Sequence, residues 1–158
     1  MQAWWEEISR KFYGAFISGD RWKLYFSGLG VTLEIAFFAA IVGLLIGVVV
    51  ALMKLSTRRN GKKTIWAMIA NAYIDVIRGT PSVLQLLIMW FVIMATTNNG
   101  ILVASLSFGI NSGAYVAEII RAGILAVDKG QMDAGRALGL TNAQTMVYII
   151  IPQAINTK

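Results

Sequence analysis

The chain contains no cysteine and no histidine. The first absence excludes disulfides and thiolate metal sites. The second removes the commonest general base and the commonest transition-metal ligand. Charge is scarce too: 14% of residues are charged and 57% are apolar, against roughly 25% and roughly 45–50% in soluble domains. No Gly-x-x-x-x-Gly-Lys-Ser/Thr stretch is present to cradle a phosphate. The first residues lack the basic start and short apolar core of a cleavable signal, so none is expected. No enzyme activity and no cofactor are expected. The acidic residues within apolar stretches, Glu34, Asp75 and Glu118, are too scattered to form a catalytic dyad.

What remains is a basic, apolar chain of 158 residues with a net charge of +6. Its charges fall between apolar blocks and form no stripe with interleaved aromatics, so nucleic acid is not an expected partner. This pattern predicts an all-α, polytopic membrane protein with about three transmembrane helices and an N-terminal amphipathic helix. The first segment, 1–28, carries Trp4, Ile8, Phe12 and Phe16 at four-residue spacing, with Glu6, Glu7, Arg10 and Lys11 elsewhere on the wheel. A helix of this kind lies on membrane lipid at headgroup level; a loose tail is the other reading.

Residues 29–53 contain one charge, Glu34, and reach roughly 37 Å as a helix, enough to cross a hydrocarbon core with tilt. Ala39, Gly43, Gly47 and Ala51 form a ridge of small residues that lets helix backbones approach closely. The stretch 54–63 is a loop with five basic residues, Lys54, Arg58, Arg59, Lys62 and Lys63. Residues 64–94 are apolar but interrupted by Asp75, Arg78, Gly79, Thr80 and Pro81. A helix broken or kinked near Pro81 is expected there, since proline donates no backbone hydrogen bond. Such a break persists at membrane depth only where protein or water covers it. Asp75 and Arg78, three apart, either pair with each other or solvate separately at the interface.

The third span is expected over 101–125. Ser105, Gly109, Gly113 and Ala117 make a small ridge on one face, while Asn111, Tyr115 and Glu118 lie on the other. A carboxylate within a span is costly, so Glu118 has either a pathway role or a salt bridge to Arg121. Basic residues number four on the N-terminal side and nine on the other, counting the 54–63 loop, Arg121, Lys129, Arg136 and Lys158. That imbalance places the N-terminus outside and the segment 126–145 in the cytosol.

The segment after the third span is polar. Residues 131–138 have helix-forming composition, Gly139 occupies a left-handed helix stop, and Thr141 with Gln144 forms a capping-box signature. Two short helices around a glycine corner are therefore expected. Ala134, Gly135 and Ala137 keep the first one thin, and Asp133 suits its dipole.

These motifs carry a resemblance. Asp133-Ala134-Gly135, Gly139 and Ile149-Ile150-Ile151-Pro152 match the spacing of the coupling loop in permease subunits of bacterial ABC importers. That pattern reads Glu-Ala-Ala, three residues, Gly, nine residues, Ile-x-Leu-Pro. Asp for Glu, Gly for the second Ala and Ile for Leu are the departures. Ile77-Arg78-Gly79-Thr80-Pro81 with Gln85-Leu86, and Asn111 to Glu118, resemble two further segments of the polar amino acid permeases.

The resemblance implies a permease subunit that moves amino acids across the cytoplasmic membrane. Residues 29–158 would be the transmembrane domain, with a coupling loop at 130–152. Its implied partners are ABC ATPase subunits, a second permease subunit (identical or not) and an extracellular solute-binding protein. Asp133, Ala134, Gly135, Gly139, Ile149 and Pro152 would carry ATPase coupling. The substrate path would run past Arg78, Gln85, Asn111, Ser112, Tyr115 and Glu118. Family members continue through two more spans, and this chain stops six residues after Pro152. An incomplete transmembrane domain is thus expected, with a transport-incompetent structural or regulatory protein as the alternative.

Overall fold

The structure, a computed structural model, describes residues 2–56 and 64–156. Arg58, Arg59, Lys62, Lys63 and Lys158, which enter the orientation argument, lie outside the described residues. All regular structure among the described residues is helical: α1 (Gln2–Phe12), α2 (Trp22–Leu55), α3 (Ile65–Gly79), α4 (Ser82–Ile93), α5 (Gly100–Ala126), α6 (Gly130–Ala137) and α7 (142–156). Among them α2 and α5 are long and apolar enough to cross a membrane, and α3 with α4 makes a third span if the bent pair counts as one.

The N-terminal helix is tied to α2. A wide π turn, Tyr13–Ile17, carries α1 onward and keeps Phe16 in line with Phe12, their ring centroids 4.8 Å apart. Phe16 also stacks on Tyr25 at 4.9 Å, and Arg21 donates to the Gly14 carbonyl at 3.1 Å. The corner between them uses positive φ at Gly19 and Asp20. α2 begins at Trp22, about two turns before the expected Leu29, so the boundary at residue 28 falls inside a continuous helix. Lys23 and the Ser27-Gly28 pair dilute the apolar run there without breaking the helix.

α2 and α5 run parallel and form the main contact. Their small ridges face one another, and side chains from each helix fill the gaps in the other. Val42 packs on Gly109, where an added Cβ would lie 2.6 Å from its Cγ1. Ile46 packs on Gly113 and Val116 on Gly47 in the same way. Lipid is as apolar as these side chains, so close van der Waals approach is what holds the pair together. α3 lies across both. Its Ala70 and Ile74 join Val50, Ala51, Ala114 and Ala117 in one buried cluster, and the Tyr73 hydroxyl donates to the Ile110 carbonyl.

α3 starts at a Thr64 cap, whose Oγ1 accepts from the Ala67 amide. It ends at Thr80-Pro81, where the chain bends by 104° into α4. Proline has no N–H for the Ile77 carbonyl one turn back, and a carbonyl left bare in an apolar setting is costly. The Gln85 amide fills the gap: its Nε2 donates to the Ile77 carbonyl at 2.7 Å and to Thr80 Oγ1 at 2.6 Å.

Candidate functional site

Below the Lys54 end of α2 and α5, α6 and α7 form a compact knob. Asp128 starts it by accepting from the Gly130 amide at 2.6 Å. At the far end of α6 the chain turns at Gly139, with φ 84°. The Leu140 amide donates to the Gly135 carbonyl at 3.1 Å and the Gly139 amide to Arg136 at 2.9 Å. Those two bonds are the paired helix stop that a left-handed glycine permits. Thr141 then opens α7 through a complete capping box with Gln144. Corner and box both stand where local sequence rules place them.

The knob also has a core. Gly135 is buried against Thr145, which is itself fully buried. A Cβ at 135 would lie 2.5 Å from Thr145 Cγ2. Glycine at this position is what lets α6 press onto α7. Arg136 Nε donates to Asn142 Oδ1 at 2.8 Å, and Gln153 donates to Gln131 at 3.2 Å. α7 runs back along α5, bringing the Ala154 carbonyl opposite Gly123. A π turn, Met146–Ile150, directly precedes Ile151 and Pro152, where the missing N–H would interrupt an ordinary helix.

Asp133 and Ala134 are exposed on α6, Ile149 is half-buried and Pro152 is exposed on α7. Leu138, which sequence reasoning did not single out, is 78% exposed at the tip of the corner. With Ala134 and Ala137 it gives α6 a low apolar surface flanked by Asp133 and Arg136. A surface of this kind fits a shallow groove.

The six residues expected along a substrate path do not converge. Gln85 accepts from Asn111 Nδ2 at 3.1 Å, which braces the α3–α4 bend against α5. Arg78 has its guanidinium carbon 5.1 Å from the Tyr115 ring centroid, one turn farther along α5. These four share one face beside the break. Asp75 and Arg78 are both exposed and make no ion pair with each other among the described residues. Ser112 points elsewhere: its hydroxyl donates to the Gly109 carbonyl at 3.2 Å and it packs on Gly43 of α2.

Glu118 is held in a charge cluster. One carboxylate oxygen pairs with Lys54 of α2, and the other with Arg121 at 3.1 Å. All three side chains are largely shielded, so the cluster fastens α2 to α5 near their C-terminal ends. Lys54 as a partner was not visible in the sequence, being 64 residues away.

Residues 43–157 match the family described as binding-protein-dependent transport system inner membrane component. The chain is 45% identical over 130 residues to the arginine transport system permease protein ArtQ of Bacillus subtilis, covering 80% of this chain and 57% of that protein. It is 42% identical over 132 residues to a putative glutamine transport system permease protein GlnP of Rickettsia prowazekii, covering 82% and 58%. It therefore spans less than two thirds of the length of these curated relatives. A crystal structure of an amino acid ABC transporter with histidines superposes with a TM-score of 0.72 at 45% identity, covering 84% of this chain and 61% of that one. The MetNI methionine ABC transporter, inward facing, shares the fold with a TM-score of 0.74 at 21% identity, covering 88% and 66%.

Proposed function

The chain belongs to the family of binding-protein-dependent transport system inner membrane components, and from this we propose that it forms part of the membrane path of an amino acid importer driven by separate ATPase subunits. The observation that carries the reading is the knob. Its two helices pack on each other through Gly135 and Thr145, it presents Ala134, Ala137 and Leu138 to solvent, and it is joined to α5 at both of its ends. A partner that moved it would move α5. The transport systems named for the relatives handle arginine and glutamine, which supports an amino acid as cargo.

In this reading Lys54, Arg121, Lys129 and Arg136 mark the cytosolic side and the N-terminus faces outward. The ATPase grips the knob from the cytosol. A second permease subunit completes the path, a solute-binding protein delivers cargo from outside, and lipid surrounds α1 and the spans. Arg78 and Tyr115, beside the open start of α4, are suited to an amino acid's carboxylate. Ser112 and Glu118 hold α2 against α5.

Co-purification with the cognate ATPase tests the proposal. Ala134→Glu with Leu138→Asp, both on exposed positions, is expected to reduce association at least about tenfold while helicity by circular dichroism stays intact. Undiminished association of a folded double variant would overturn the coupling role.

A further inference from the structure

Gly135 is the buried residue of α6; the others are exposed or half-buried. The stand-off between α6 and α7 is therefore decided largely at one place. Glycine inside a helix is unfavourable relative to alanine. The backbone at 135 is ordinary helix, so conformation does not call for glycine there. Contact does. A Cβ at 135 would lie 2.5 Å from Thr145 Cγ2 and 2.7 Å from its Oγ1. The threonine is not free to turn away, because its hydroxyl donates to the Thr141 carbonyl at 3.0 Å. A β-branched side chain has few χ1 settings in a helix, and this bond narrows them further. The pair also reaches both sides of the corner. Thr141 opens α7 through the capping box, and the Gly135 carbonyl accepts from the Leu140 amide.

We propose that Thr145 is a positioning residue for ATPase coupling: with Gly135 it sets how far α6 stands from α7, and so which groove the surface of Ala134, Ala137 and Leu138 can enter. This rests on the coupling role proposed for the knob. Thr145 is fully buried and acts only through α6. Ala134 adjoins Gly135 and Leu138 follows it by three residues, so a lift of α6 at 135 carries both outward. An added methyl in a packed contact forces such backbone shifts. A contact that only stabilised the knob would change its unfolding and leave ATPase association of the folded chain alone.

The test is a size swap in the whole chain, held in lipid nanodiscs. The chain has no cysteine, so spin labels at Ala137→Cys and Tyr148→Cys, both exposed, report the distance between α6 and α7. Association with the cognate ATPase is measured on the unlabelled chain. Gly135→Ala is expected to lengthen the distance by about 1 Å and to weaken association about tenfold, with helicity intact. Adding Thr145→Ala removes Cγ2 and Oγ1 and leaves only Cβ, 3.1 Å from the new methyl. That double variant is expected to recover the distance, and association to within about twofold of the native chain. An unchanged distance in a folded Gly135→Ala chain overturns the proposal, and so does recovery of the distance without recovery of association. Ala134→Glu with Leu138→Asp runs alongside. If that surface variant loses the ATPase while Gly135→Ala keeps it, the positioning role fails and the coupling role stands. If the surface variant keeps the ATPase, the coupling role fails and the positioning role with it. Should Gly135→Ala not fold, Thr145→Ser decides: loss of the methyl is expected to shorten the distance and weaken association about threefold, and no change in either overturns the proposal.

Discussion

The α2–α5 pair carries a glutamate near each end, and the two are held in opposite ways. Glu118 is closed in between Lys54 and Arg121, with both oxygens occupied. Glu34 is exposed at the rim of a cleft and makes no ion pair among the described residues. Twenty residues separate Glu34 from Lys54 along α2, about 30 Å of helix, which matches the thickness of a hydrocarbon core. The pair therefore spans the apolar layer with one sealed polar end and one open one. A charge that is fully paired in a partly dry place fastens helices together. An exposed charge with no partner fastens nothing.

The difference is open to direct test, and the largest effect comes from the seam that both ends share. Gly47→Leu drives a side chain into Val116, and overpacking of this kind is expected to cost about 3 kcal/mol and to loosen both ends at once. Denaturation in detergent, with cysteine cross-linking between α2 and α5 at either end, reads both outcomes. Survival of cross-links at one end would mean that the two are held independently.

Next in size is the sealed end alone. Glu118→Gln leaves Lys54 and Arg121 without their counter-charge and is expected to cost about 2 kcal/mol, less than for a fully buried pair because each side chain keeps some solvent. Exchanging the partners, Lys54→Glu with Glu118→Lys, should recover only part of that loss, because Arg121 then faces a lysine three residues away. Full recovery would show that Arg121 contributes nothing to the cluster.

The smallest effects belong to the open end. Ser105→Ala removes a buried hydroxyl that has no partner and is expected to be neutral or to stabilise by about 1 kcal/mol. Glu34→Gln should change stability by no more than about 0.5 kcal/mol, as for an ordinary surface substitution. A loss at Glu34 as large as that at Glu118 would erase the contrast between the two ends.

How far each feature could be read from sequence follows from how local its cause is. The Gly139 corner and the Thr141–Gln144 box are decided by residues within four positions, and both appear as expected. The facing ridges on α2 and α5 were legible from their four-residue period. The bend at Pro81 was legible too, because a missing donor is a property of one residue. What satisfies the orphaned carbonyl was not, since several polar groups nearby were eligible and only the fold brings Gln85 back to Ile77. Ser112 sits beside Asn111 in one motif, yet at 100° per residue neighbours point apart, and it turns to Gly43. Lys54 reached Glu118 through tertiary packing alone.

The seam between α2 and α5 repeats every four residues on both helices, so by itself it is a ladder with interchangeable rungs. Sliding one helix by a rung, about 6 Å, would again set small residues against large ones. What forbids the slip is polar. Only one setting lets Lys54 meet Glu118, so that contact works like the index mark on a vernier and selects a single alignment from a degenerate set.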